Sequence, residues 1–256
     1  MKADCTLILS GGVDSTTLLY QLLAEGKHPL LVTFDYGQKH EIEVVRAQAI
    51  AKDLMLEHIT VDARKVFEGM ESALLVGGAN IPEGNYSHEN MKATVVPNRN
   101  MILLSIAAGI SISNEIYSLY YGAHAGDHAI YSDCRPAFIT AMDGALLECC
   151  EHGVELLTPF QFKNKIEIVK LGLSLGVPYE KTWTCYNGRA KACGVCGSCV
   201  ERIEAFKSND SVDPLEYETD PFPVPEPEIS PVETEVLEPE EDLTDNNAEE
   251  PAENGA

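Results

Sequence analysis

Short apolar runs recur along the first 160 or so residues, each followed by a segment of helical spacing. No other feature of the chain limits its fold as strongly. Cys5–Ser10, Leu30–Phe34, Leu56–Val61, Ile116–Tyr121 and Val154–Leu157 are nearly continuous in apolar residues, as strands covered on both faces are. Helical spacing predicts helices over Ser15–Gly26, Glu41–Leu54, Asn98–Ser113, Pro136–His152 and Lys165–Leu175. The first carries Leu18, Leu19, Leu22 and Leu23 on one side, and the last is closed by Gly176-Val-Pro178. The alternation specifies an α/β fold, a Rossmann-like parallel sheet with helices on both faces, followed by a C-terminal helical and cysteine-rich segment. Such sheets bind ligands beyond the C-terminal ends of their strands. Functional residues are therefore expected just after Leu9, Phe34, Val61 and Tyr121. The stretch from Asp62 to Pro97 is too long for an ordinary connection and reads as a lid or inserted substrate loop.

Charge divides the chain in two. Of 256 residues, the segment Asn209–Ala256 holds 17 Asp and Glu, no Lys or Arg, and eight of the 14 prolines. This leaves residues 1–208 with 18 basic against 24 acidic side chains, a balance of −6. The reading is a globular domain over 1–208 and an acidic, Pro-rich, disordered tail over 209–256. The body lacks the basic excess that phosphate neutralisation in a nucleic-acid binder requires, so no direct nucleic-acid partner is expected. Met1-Lys-Ala-Asp4 leads into the first strand with no cleavage-site pattern, which points to a cytoplasmic protein. The longest apolar segment, Met101–Ile112, falls short of the roughly 20 residues a bilayer span needs.

Ser10-Gly-Gly-Val-Asp-Ser15 sits where the first strand gives way to the first helix. Glycines let backbone approach a ligand, a helix start offers N–H groups and positive dipole, and Ser10, Ser15, Thr16 and Thr17 add hydroxyls. The loop suits a phosphate or pyrophosphate, although it is neither a Walker A loop nor G-x-G-x-x-G. A tight turn with an N-cap is the bland alternative. Asp14 places a negative charge in an anion site, and a Mg²⁺ ion bridging it to phosphates would reconcile the two. Further on, Cys185, Cys193, Cys196 and Cys199 offer four thiolates within 15 residues. The set suits a tetrahedral Zn²⁺ with no open position, hence a structural site. An iron–sulfur cluster is the rival, although the proline that follows the last cysteine of ferredoxin-type motifs is replaced by Val200. Cys5 and the pair Cys149-Cys150 read as small core residues, and Cys134 as a weak site candidate.

The Ser10–Ser15 string resembles the PP-loop of the N-type ATP pyrophosphatases. Five more strings narrow the resemblance: Phe34-Asp-Tyr-Gly-Gln-Lys-His40, Val96-Pro-Asn-Arg-Asn100, Tyr131-Ser-Asp-Cys-Arg-Pro136, Lys165-x-Glu-Ile-Val169 and Thr182-Trp-Thr-Cys-Tyr186. Together with the four cysteines they resemble the QueC family, the 7-cyano-7-deazaguanine synthases, from Leu7 to about Phe206. Ser132 departs from the family's usual proline before Asp-Cys-Arg, and the acidic tail has no counterpart in that pattern. The resemblance implies a PP-loop ATPase or HUP-type fold and the conversion of 7-carboxy-7-deazaguanine, ammonia and ATP into the nitrile. It also implies a cytoplasmic homodimer with ATP as co-substrate, Mg²⁺, and one structural Zn²⁺. ATP would be held by Leu9, Ser10, Gly11, Gly12, Val13, Asp14, Ser15, Thr16, Thr17, Leu18 and Leu19. Ser10, Asp14, Ser15, Arg99, Asp133 and Arg135 are the expected catalytic positions.

Several of these residues carry a second reading. Asp35 follows the second strand but also fits an Asx turn with Tyr36-Gly37. Arg99 sits near a helix start, where the dipole disfavours a cation, so a bound anion would explain it, while Asn98 reads as the N-cap. Asp133 and Arg135 could read both edges of a deazaguanine or form a surface salt bridge. His40, His124 and His128 lack metal spacing and read first as satisfied loop histidines. A PP-loop enzyme acting on tRNA and a non-enzymatic zinc-binding module are the rival functions.

Overall fold

A computed structural model describes residues 2–83 and 91–219. Five strands form one parallel sheet in the order β3-β2-β1-β4-β5: β1 (Cys5–Ile8), β2 (Pro29–Asp35), β3 (His58–Asp62), β4 (Ser118–Tyr120) and β5 (Glu155–Leu157). β1 is the centre, pairing Leu7 with Leu31 of β2 on one side and with Tyr120 of β4 on the other. Its four residues are all buried, as are the first six of β2, which is why both runs are unbroken in apolar residues. β3, at the edge, has no fully buried residue.

Helices cover both faces. On one, α1 (Val13–Ala24) packs Leu18, Leu19 and Leu22 into a core with Leu7, Leu31, Ile168 and Phe206. On the other, α4 (Arg99–Ser113) packs Leu103, Leu104, Ala107 and Ala108 against Ile8, Val32 and Leu119. The Lys92–Ser113 stretch is long and apolar enough to cross a bilayer by composition alone, yet its helical part buries Leu103, Leu104, Ala107 and Ala108 in the core. The other helices are α2 (Ile42–Asp53), a single turn α3 (Arg64–Phe67), α5 (Pro136–Leu147), α6 (Lys165–Ser174) and α7 (Gly197–Lys207).

Three expectations need correction. α5 stops at Leu147, five residues before His152, so Cys149 and Cys150 lie on an exposed turn and not in the core. The described parts of the 62–97 insertion are packed structure: Ala73, Leu74, Leu75 and Met91 are buried, and Leu74 O accepts the Lys39 N–H at 2.8 Å. The body also runs past Ser208. Arg202 of α7 is fully buried, and all five of its N–H donors are taken. Nε and Nη2 make a bidentate pair with Asp213 (2.7 and 2.9 Å), Nη1 reaches the hydroxyls of Thr182 and Thr184 (2.8 and 3.1 Å), and Nη2 also meets the Tyr179 carbonyl (3.0 Å). Tyr217 donates its hydroxyl to Asp213 at 2.6 Å. A lone acidic residue in a proline-rich stretch thus neutralises the buried arginine. The tail expected to be disordered lies, from Asp220 on, outside the described residues.

Ending the chain at Ser208 leaves Arg202 buried without its carboxylate, a loss of about 3–5 kcal/mol. Ending it at Thr219 keeps the pair. Urea unfolding of the two truncated chains should separate them by that amount, and equal stabilities would contradict the clamp.

Candidate active site

The strand order reverses between β1 and β4: the chain leaves β1 toward β2 and later returns to β4 on the opposite side. Connections after the two strands diverge there and open a crevice beyond their C-terminal ends. It is lined by Ser10, Gly12, Val13 and Asp14 after β1, Tyr36 and His40 after β2, and Tyr121, His124 and Asp127 after β4. Arg99 and Asn100 of α4, Lys165 of α6, and Trp183, Thr184 and Tyr186 of the C-terminal segment complete the wall. A second hollow, of about 510 Å³, runs along Met70–Ala79.

The loop Ser10–Ser15 is braced from within. Ser10 Oγ lies 3.0 Å from Ser15 Oγ and accepts the Gly12 N–H at 3.2 Å, while the Ser10 N–H donates to Ser15 Oγ at 3.2 Å. No side chain caps α1 at Gly12, so the helix start is left to an external anion. Gly11 adopts φ +87°, and a Cβ there would lie 2.3 Å from the Glu43 carbonyl of α2. Its glycine is therefore demanded by close helix packing and not by contact with a ligand. Trp183 N–H donates to the Gly11 carbonyl at 2.9 Å, which ties the C-terminal segment to the loop.

Two cations occupy the first helical positions of α4 and α6, where the macrodipole opposes them. Lys165 is set there by a capping box: Asn164 accepts the Glu167 N–H at 2.9 Å, and Glu167 accepts the Asn164 N–H at 2.8 Å. Its ammonium donates to both Asp14 oxygens (2.8 and 2.6 Å) and lies 3.4 Å from Glu201. Burial lowers the Lys165 pKa, but Asp14, Glu201 and Asp127 outweigh it and keep the amine protonated beyond the usual lysine range. Burial likewise raises the Asp14 carboxyl, yet Lys165 and His124 hold it below the ordinary aspartate value. The Asp14 contribution to stability is therefore complete above roughly pH 4, the usual unfolded value, and is lost as pH falls through the lower folded one.

Arg99 differs from Lys165. Its guanidinium meets the Tyr36 hydroxyl (3.4 Å) and Asn100 Oδ1 (3.1 Å), and lies 5.7 Å from the Tyr36 ring centre. Among the described residues no carboxylate stands within ion-pair distance of it. Tyr36, Tyr121 and Cys134 line the same wall, and burial pushes all three pKa values up, Tyr36 to about 12. His40 is 3 % exposed, with Nε2 3.4 Å from Glu43 Oε1 and its ring 5.4 Å from that of Tyr186. Its Nδ1 is buried with no hydrogen-bond partner among the described residues, at a cost of about 1–3 kcal/mol. His124 is fully engaged: Nδ1 accepts the Gly126 N–H at 3.1 Å, and Nε2 faces Asp127 (3.4 Å) and Asp14 (3.7 Å).

Several expected positions fall behind the crevice. Leu9, Leu18 and Leu19 are core residues. Thr16 is fully buried, Thr17 donates to the Val13 carbonyl at 2.8 Å, and Ser15 acts through Ser10. Asp133 accepts the Asn100 N–H at 3.2 Å, so it caps α4 from outside. Asn98 stands at the cap position but at φ +56°, with no side-chain bond. Arg135 is exposed and donates to the carbonyls of His128 (2.7 Å) and Ala129 (3.4 Å), bracing its own turn. Asp35 makes the Asx turn, accepting the Gly37 N–H at 3.1 Å. Sequence reading gave no role to Lys165, Glu201 or Asp127 and set His40 and His124 aside. Lys165 lay inside a quoted string, and its place at a helix start was the signal to read.

The sulfurs of Cys185, Cys193, Cys196 and Cys199 all lie within 4.8 Å of one another, and all four residues are buried. Cys199 Sγ is 3.9 Å from Cys193 Sγ and 3.5 Å from Cys196 Sγ, close to the roughly 3.8 Å edge of a tetrahedron built on Zn–S bonds of about 2.3 Å. A cubane holds its cysteine sulfurs farther apart, because each binds a different iron. Backbone N–H groups of Cys193 and Cys196 donate to the sulfurs of Cys185 and Cys193, both at 3.3 Å, which favours thiolates. The cluster is consistent with a zinc site.

The family described as "Queuosine biosynthesis protein QueC" matches residues 4–210 of the chain. Among curated relatives, the 7-cyano-7-deazaguanine synthase of Hahella chejuensis is 50 % identical over 212 residues, covering 83 % of this chain and 92 % of that protein. The synthase of Methanoregula boonei is 48 % identical over 218 residues, covering 85 % and 100 %. That of Pseudoalteromonas translucida is 45 % identical over the same length and shares.

Removing the cation between Asp14 and Glu201 strands two carboxylates. Lys165→Met should cost about 3–5 kcal/mol of unfolding free energy, and adding Asp14→Asn should recover part of it. A Lys165→Met chain as stable as its parent would contradict the pairing.

Proposed function

The chain belongs to the QueC family, and from that premise we propose that it is an ATP-dependent C–N ligase that makes 7-cyano-7-deazaguanine from 7-carboxy-7-deazaguanine and ammonia. The observation that carries this reading is the uncapped start of α1 beside Lys165 and Arg99 in one crevice. That is an anion site with two cations, suited to ATP and a carboxylate together. The reaction belongs to queuosine-type 7-deazaguanine biosynthesis. The body's −6 balance offers no basic face in favour of the tRNA reading. Homodimer assembly and a cytoplasmic location are carried over from the family as part of the proposal.

A carboxylate is a poor electrophile because its oxide does not leave. Adenylation replaces that oxide with AMP and expels pyrophosphate. N–H groups at the start of α1 receive the pyrophosphate, and the Ser10 hydroxyl, braced by Ser15, adds a hydrogen bond to it. Arg99, which has no carboxylate within ion-pair distance among the described residues, pairs with the substrate's carboxylate. Ammonia then displaces AMP to give the amide, whose oxygen is activated by a second ATP before AMP leaves the nitrile. A Mg²⁺ ion bound with ATP would neutralise phosphate charge, and Asp14, the carboxylate of the loop, would be its ligand from this chain, although it shares its charge with Lys165. Zinc on the four cysteines is structural, because the four thiolates fill a tetrahedron and leave no position for water.

AMP and pyrophosphate should form in step, about two of each per nitrile, because both activations pass over the same anion site. ADP and orthophosphate as primary products would rule the mechanism out. Ser10→Ala should lower the rate by roughly 10²–10³-fold, read from pyrophosphate release.

Cys196→Ala should lower bound zinc and soluble yield together. A variant that loses metal but keeps its stability would assign the cysteines another role.

A further inference from the structure

The proposed reaction must remove protons from nitrogen. Ammonia that attacks the acyl adenylate carries a surplus proton once its lone pair has formed the C–N bond, and conversion of the amide to the nitrile strips both remaining N–H groups. A base in the crevice is therefore required. Most titratable groups on the wall are already occupied. Asp14 accepts from Lys165 with both oxygens, and Glu201 lies 3.4 Å from the same ammonium. Both ring nitrogens of His124 are engaged, one of them facing Asp127. Tyr36, Tyr121 and Cys134 hold their protons more tightly than usual.

His40 stands apart. Glu43 lies on its Nε2 side at 3.4 Å, and Glu43 in turn accepts from Gln38 Nε2 at 3.3 Å. A carboxylate on one nitrogen fixes the N–H there and leaves the lone pair on the other. That other nitrogen, Nδ1, is buried without a partner among the described residues, in a side chain that lines the crevice with Ser10, Asp14 and Arg99. Tyr186 packs on the ring, so the imidazole is held on two sides. We propose that His40 is the general base of amide formation, its Nδ1 taking the proton from the attacking nitrogen as the C–O bond to AMP breaks, with Glu43 as the positioning residue that orients the ring.

The assignment rests on the adenylation reading, so the test separates the two steps. Pyrophosphate exchange into ATP, dependent on the deazaguanine carboxylate, reports adenylation alone. Amide formation from ammonium reports the step that needs the base. His40→Gln should lower amide formation about 10²–10⁴-fold while exchange falls less than tenfold. Glu43→Gln is the second variant, and it should show a smaller loss with the same sign of split. Equal losses in exchange and amide formation in the folded, zinc-loaded variants would make His40 structural and overturn the proposal. Amide formation unaffected by both substitutions would overturn it as well. Wild-type protein that supports no carboxylate-dependent exchange would instead overturn the adenylation reading, and the base assignment with it.

Discussion

The buried guanidinium of Arg202 ties the 179–184 segment and Asp213 to the helix that carries it. A charge fully removed from water is tolerable only with its counter-ion and hydrogen bonds in place. Here Asp213 supplies the counter-ion, and Thr182, Thr184 and the Tyr179 carbonyl supply the rest. The same contacts fix residues 179–184 against α7. From that segment the Trp183 N–H reaches the carbonyl of Gly11, and from α7 come Cys196 and Cys199 at its start. The cysteine cluster and the phosphate loop are thus positioned by one arginine that touches neither ligand.

Around the crevice, several local rules are broken together. Cations begin α4 and α6, Asn98 stands at positive φ, and a histidine nitrogen is buried without a partner. Each is unfavourable taken alone, and each lies on or beside the same wall. Agreement between local preference and overall fold is the norm in stable proteins, and its failure in one place marks a site. Lys165 is already offset by Asp14 and Glu201. Among the described residues, Arg99 has no carboxylate within ion-pair distance and the Nδ1 of His40 has no hydrogen-bond partner. These two are the groups with most to gain from a ligand.

The parallel sheet was legible because its inner strands are buried on both faces, and the place of the Ser10–Ser15 loop because glycine and hydroxyl residues cluster at that strand–helix junction. Four cysteines in 15 residues spoke as clearly. Asp133 and Arg135 misled because a motif string does not say which side chain faces inward. Asp133 turns to the start of α4, and Arg135 to the turn before it. Gly11 was chosen for the right loop and the wrong reason, since its neighbour is the backbone of α2. The end of the body was misplaced at Ser208 because acidity and proline content describe an average, and the single aspartate that matters is invisible in an average. His40 and Lys165 needed three dimensions: their partners are a buried void and a residue 151 positions away.

The distance along the chain between Arg202 and the loop it secures has a bearing on how the protein is made. Ser10 to Ser15 leave the ribosome some two hundred positions before Asp213. Until Asp213 emerges, the buried arginine has no counter-ion, and residues 182–184 lack the anchor that carries Trp183 to Gly11. β1, likewise, waits for β4, more than a hundred residues downstream, before its second edge is covered. The crevice beyond β1 and β4 is therefore completed from the far end of the body, and a nascent chain that stops short carries the Ser10–Ser15 loop without the wall that closes on it.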